Sequence, residues 1–134
     1  MSDPVYLLDS SVLIALASTT HDLHDIVTNW MGKQRPAFAT CPITQGALLR
    51  ISMRVGGLTF SEAQKLLGSI VQHAKHTFVA DTVSYYDIEG IGILGHQQVT
   101  DGYLAQLARS TGMKLATLDR AQAALHADVA ELLS

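Results

Sequence analysis

The stretch VYLLDSSVLIALA, Val5 to Ala17, constrains the fold more than any other part of the chain. Val5 to Leu8 is a continuous apolar run, as a strand buried on both faces requires, and Val12 to Ala17 reads as a helix that follows almost at once. Between them stands one carboxylate, Asp9, followed by Ser10 and Ser11, either of which is suited to cap the helix. The result is a strand-to-helix turn with an acid at its tip. An unpaired carboxylate at the end of a core strand costs free energy, so Asp9 needs an explanation of its own.

The rest of the chain repeats the alternation. His21 to Gln34 places Leu23, Ile26, Val27 and Trp30 at helical spacing, PAFATCP reads as a short strand ended by Pro42, and ITQGALLRISMRVGG as a helix stopped by Gly56 and Gly57. Ser61 with Glu62 is expected to open the helix SEAQKLLGSIVQHAK, and HTFVAD follows as a strand. Ser84 to Gln98 is Gly-rich and yields no assignment. Thr100 is then expected to cap TDGYLAQLARSTG, which ends at Gly112 before the strand KLATL, a helix near Arg120 to His126 and an apolar tail, VAELL. Strands alternating with helices imply an α/β fold with a mostly parallel sheet covered on both faces. With 134 residues and no repeat or linker, a single domain over 1–134 is expected.

Composition narrows the function. A net charge of -3 excludes binding to nucleic acid mainly through bulk positive charge, although a local basic patch stays open. Hydrophobic residues make up 48% of the chain, which argues against disorder and for a buried partner surface. The longest apolar stretch is broken by Asp9 and is too short to span a membrane, and the Met-Ser-Asp-Pro start lacks a basic leader, so a cytoplasmic protein is expected. Cys41 is the only cysteine, which rules out an internal disulfide and a cysteine-based zinc site.

In parallel sheets, chemistry collects beyond the carboxyl ends of the strands. Asp9 and Asp119 stand at such ends and Asp101 at the start of a helix. Converging carboxylates of this kind suit a hard cation such as magnesium or manganese, which relieves their mutual repulsion. The ordinary alternative is local: Asp101 and Asp119 each occupy a place where an acid favours a helix N-terminus. Asp9 is harder to explain that way, because two serines beside it already offer caps. His21 with His24 reads as a solvated helix start, Cys41 as a small buried residue, and Tyr85 with Tyr86 as packing or a dimer surface as readily as a stacking platform. Arg50, Arg54, Arg109, Arg120 and His96 are candidate phosphate contacts, with solvated surface charge as the alternative.

Taken in order, YLLDSSVLIAL, ATCPITQGALLRIS, GHQQVTDGYLAQLA and LATLDR resemble the four motifs of the PIN-domain ribonucleases, and among them the VapC-type toxins of toxin-antitoxin systems. The resemblance covers nearly the whole chain. It implies a PIN-like three-layer α/β/α fold, with Asp9, Asp101 and Asp119 as catalytic, metal-holding carboxylates and Ser11 and Thr117 as supporting hydroxyls. It also implies Mg2+ or Mn2+ as cofactor and hydrolysis of RNA, tRNA especially, leaving a 5′-phosphate and a 3′-hydroxyl. Arg50, His96 and Arg120 become the candidate RNA contacts. A cognate VapB-type antitoxin and a homodimer are the implied partners, and a groove between the Trp30 helix and the Arg50 helix is the expected antitoxin seat.

One position departs from the family pattern. Its usual second acid falls at Gln45, which offers a carbonyl oxygen but no charge. Weaker metal affinity follows, unless RNA phosphates or the nearby Asp87 or Glu89 supply what is missing. Two rival readings remain: an aspartyl-phosphate enzyme built on Asp9, for which Leu8 and Ser11 stand where a second acid is usual, and a catalytically weakened PIN-like module that binds RNA or a partner.

Overall fold

The computed structural model describes residues 3–90 and 92–134. β1 (Val5–Leu8) forms the middle of a five-stranded sheet, with β2 (Ala37–Thr40) and then β3 (His76–Phe78) on one side, and β4 (Lys114–Thr117) and then β5 (Ala130–Leu132) on the other. All four pairings are parallel, and Leu7 is level with Ala39 on β2 and with Leu115 on β4. Successive side chains of a strand point to opposite faces, and β1 uses this to serve two cores. Leu7 packs with Tyr103, Leu104 and Leu107 of α5 (Val99–Thr111). Leu8 packs on the other face with Val12 and Leu13 of α1 (Ser10–Ala17), Val27 of α2 (His24–Gln34), Leu48 of α3 (Pro42–Arg54) and Ile70 of α4 (Phe60–Val71). Helices therefore cover both faces, as the alternation of the sequence requires.

The chain winds from β1 outward to β3, then returns to place β4 on the opposite flank of β1. The carboxyl ends of β1 and β4 thus form the switch point of the sheet, where departing loops diverge and leave a crevice. Asp9 directly follows β1, and Asp119 lies two residues beyond β4.

Several local expectations are corrected. Neither Ser10 nor Ser11 caps α1: both lie in its first turn, and Asp9 is the N-cap, accepting the Val12 N–H at 2.9 Å. Thr100 does not cap α5, which begins at Val99 after a 3-10 turn at His96–Gln98. α4 opens at Thr59 instead of Ser61, through a capping box in which Thr59 Oγ1 accepts the Glu62 N–H and Glu62 Oε1 accepts the Thr59 N–H. α2 begins at His24, and the apolar tail supplies the edge strand β5, with α6 (Arg120–Leu125) before it. The segment left unassigned holds two 3-10 turns, at Tyr85–Asp87 and His96–Gln98. It lies on the first turn of α5 so closely that a side chain at Gly102 would collide with Ile93.

Candidate active site

A cleft of about 500 Å3 opens at the switch point, lined by His96, Gln98, Asp101, Asp119, Gln122 and Leu125 among others. Asp9 sits behind it, 3% exposed. Its Oδ1 accepts the Ser11 hydroxyl at 2.6 Å as well as the Val12 N–H. Burial pushes the Asp9 carboxyl up, hydrogen bonds from Ser11, Thr117 and Val12 pull it down, and the charge of Asp119 raises it again. Capping α1 does not exclude a place at the site for Asp9, since the capping carboxylate also lies close enough to Asp101 and Asp119 for their charges to act on one another.

Asp119 has the same dual geometry. It caps α6, with Oδ1 accepting the N–H groups of Ala121 at 2.8 Å and Gln122 at 3.2 Å, while its side chain remains exposed to the cleft. Asp101 reaches the cleft from the first turn of α5. Its carboxyl is pushed up to about 6, first by burial and then by the charges of Asp9 and Asp119. The three aspartates therefore feel one another across segments distant in sequence.

Hydroxyls tie these segments together. Ser11 Oγ receives the Leu118 N–H at 3.4 Å, and Thr117 Oγ1 receives the Asp119 N–H at 3.0 Å and donates to Gln122 Oε1 at 2.9 Å. Gln45, by contrast, is engaged elsewhere. Its Nε2 donates to the buried hydroxyl of Thr40 at 3.0 Å, and that hydroxyl pairs in turn with His76 Nε2 at 2.7 Å.

Of the candidate RNA contacts, the fold brings His96 to the cleft and places Arg120, exposed, beside Asp119. Arg50 is not brought there. Its guanidinium folds back over Gly46 and borders a separate groove with Ile14, Ile51 and Arg54. Arg109 is held by Asp128, with its Nε at 2.7 Å and Nη2 at 3.0 Å, and Glu89 acts on that arginine. Neither Asp87 nor Glu89 lines the cleft. His21 and His24 are half-buried and not simply solvated: His21 Nδ1 accepts the Leu23 N–H at the start of α2, and His24 Nδ1 lies 2.8 Å from the Ala15 carbonyl of α1.

Two features escaped the sequence reading, the Thr40–His76 pair and Gln122. The spacing Asp119-x-x-Gln122 was a legible capping-box signal, but the side chain turns away from the cap and into the cleft.

The donor set suits a hard cation in its chemistry. Oxygen donors predominate, and among the described residues the sole ion pair is Arg109 with Asp128, so none of the three aspartates is held in an ion pair. Among the described residues, no three acidic, histidine or cysteine side chains close around a single point. An ion here would accordingly keep much of its water, as magnesium commonly does.

This parallel sheet with an acidic cleft at its switch point has a known class. A PIN domain model matches residues 6–128, and the chain belongs to the PIN-domain family. It is 45% identical over 127 residues to the Mycobacterium tuberculosis ribonuclease VapC29, covering 95% of each chain, and 34% identical over 118 residues to ribonuclease VapC38 of the same species, covering 84% of each. Those relatives place it among the VapC ribonuclease toxins. The fold is similar to that of M. tuberculosis VapC20, a sarcin-ricin loop cleaving toxin, with a TM-score of 0.71 at 15% identity, covering 97% of this chain and 99% of that one. It is also similar to a chain of VapBC2 from Rickettsia felis, solved bound to a DNA fragment from its promoter, with a TM-score of 0.68 at 13% identity and coverage of 97% and 99%. Among the described residues, no helix is long and apolar enough to cross a membrane.

Proposed function

We propose that the chain is a metal-dependent endoribonuclease toxin of a type II toxin-antitoxin system, acting in the cytoplasm as one domain, with Asp9, Asp101 and Asp119 holding Mg2+ or Mn2+. The observation that carries this reading is the meeting of Asp101 and Asp119 in the switch-point cleft with Asp9 beside them, where among the described residues none of the three is held in an ion pair. A cation held there would supply a bound water of lowered pKa and stabilise charge on the phosphate and leaving oxygen. The chain's own residues do the rest. Ser11 and the Val12 N–H fix Asp9, the α6 N–H groups fix Asp119, and Thr117 Oγ1, at the end of β4, accepts the Asp119 N–H. Asp119, the exposed acid, is suited to accept a proton at the cleft surface. His96 and Arg120 flank the path by which an RNA phosphate would enter, and Arg50 takes no part in it.

The inferred partners are RNA, a VapB-type antitoxin and a second copy of the chain. For the antitoxin we propose a different seat from the groove between the Trp30 helix and the Arg50 helix. Trp30 packs edge-on against Tyr6, with ring centroids 5.0 Å apart, and does not line the relevant groove. The apolar groove of about 640 Å3 runs between α1, α3 and α4, past Ile14, Leu48, Ile51, Val55 and Leu66. It suits the apolar face of an antitoxin helix. Tyr85, Tyr86 and Leu94, 53%, 95% and 92% exposed, are the apolar side chains we assign to a homodimer contact.

A second reading is favoured by one observation: Gln45 is tied to Thr40 and brings no charge, which suits a weakened module that binds RNA without cutting. Purified protein offered a mixed tRNA pool in manganese and in chelator separates the two. The nuclease reading expects cleavage in metal alone, and Gln45→Glu should raise the rate at limiting manganese. Metal-independent RNA binding without cleavage, in both the native protein and Gln45→Glu, would favour the binding module.

A further inference from the structure

We propose that Gln122 is a positioning residue of the cleft, setting through Thr117 and the first turn of α5 how the three carboxylates face one another. Its link to catalysis rests on the nuclease reading above; its link to the geometry does not.

Three residues after the N-cap Asp119, a glutamine ordinarily reaches back to the N-cap N–H. Here that N–H is already donated to Thr117 Oγ1, so the Gln122 amide has a different use. The residue is 3% exposed and yet lines the cleft. Its Oε1 accepts the Thr117 hydroxyl at 2.9 Å, its Nε2 makes a long contact of 3.5 Å to the Asp101 carbonyl, and its main-chain N–H donates to Asp119 Oδ1. One side chain therefore bridges the end of β4 and the start of α5, the two segments that carry Asp119 and Asp101.

Thr117 has a single hydroxyl proton to give. Asp9 also lies within its hydrogen-bonding reach, so the Asp9 carboxylate and the Gln122 amide oxygen compete for that proton. With its Oε1 2.9 Å from that hydroxyl, Gln122 limits how far Thr117 is given over to Asp9, whose Oδ1 already accepts from Ser11 and the Val12 N–H. A methionine at 122 has similar length but accepts no such bond: Thr117 would turn to Asp9, and the first turn of α5 would lose its tie.

The test compares Gln122→Met, Thr117→Val and the double variant with the native protein. In metal-free protein, amide NMR resonances of Val12, Asp101 and Gly102 should move in Gln122→Met; changes confined to residues 117–126 would overturn the proposal. Manganese affinity, read by titration, should fall about tenfold, the low end for loss of a partner that orients metal ligands. On RNA the loss should appear in kcat with KM unchanged. The double variant should lose less manganese affinity than the sum of the two single losses, because the two residues share one hydrogen bond. Native manganese affinity in Gln122→Met together with a lowered urea midpoint would reduce Gln122 to a packing role and overturn the proposal, as would additive losses. A native protein that binds no manganese refutes the metal reading of the cleft, and the amide shifts still decide the role of Gln122.

Discussion

Replacing Asp101 by asparagine should stabilise the metal-free protein. The folded carboxyl is raised from 3.8 to about 6 by burial and by Asp9 and Asp119. The fold thus binds the Asp101 proton more tightly than the unfolded chain does, and stability falls as pH rises through that window. The cost is absent below 3.8 and complete above about 6. Taken at face value, the shift corresponds to about 3 kcal/mol. Asp101 still meets solvent, and screening reduces the expected share to about 1–2 kcal/mol. Asparagine forfeits the attraction of a carboxylate to a helix N-terminus, about 0.5 kcal/mol, too little to reverse the sign. Urea denaturation in chelator should therefore show Asp101→Asn more stable by about 1–2 kcal/mol near pH 7.5, and by about half of that near pH 4.5. Manganese should close the gap by stabilising the native protein alone. An asparagine variant that is no more stable near neutral pH, or equally favoured at both, would refute the account of repulsion in the cleft.

Other outcomes follow from separate parts of the molecule. His126 is buried and held neutral, first by burial and then by Arg109, whose Nη2 lies 3.1 Å from its Nδ1; its pKa lies below the ordinary 6.5. The unfolded chain takes up the proton first, so native stability is full above 6.5 and declines below it; His126→Gln should lessen that decline when urea midpoints of the two proteins are compared across pH. Thr59→Ala breaks the capping box of α4 and should cost about 1 kcal/mol in the same assay. Val55→Asp, at a position 72% exposed on the apolar groove, should weaken capture of a VapB-type antitoxin in a binding titration and leave RNA cleavage unchanged.

Much of this was legible because backbone geometry and apolar pattern agreed. The run Val5–Leu8 is apolar throughout because β1 is the central strand and feeds two cores, and Gly112 ends α5 in the left-handed conformation its position suggested. The site was legible where strand ends carried acids. What misled was chemistry that adjacent residues share. Two serines beside Asp9 looked like caps, yet the carboxylate takes the cap and one serine donates to it. Thr100 looked like a cap because the preceding 3-10 turn, held by Gln98 Oε1 accepting from Leu94 and Gly95, has no apolar period to announce it. The turning of Gln45 toward Thr40, and of Gln122 toward Thr117, depends on partners on other elements, which local spacing does not encode.

The most direct test is the rate of RNA cleavage against manganese concentration for the native protein and for Asp9→Asn, Asp101→Asn and Asp119→Asn. Metal-dependent cutting by the native chain, abolished in chelator and reduced at least about a hundredfold by each substitution, is the predicted result. Cleavage that persists in chelator, or that survives loss of all three carboxylates, would contradict the claim that this cleft is the catalytic centre.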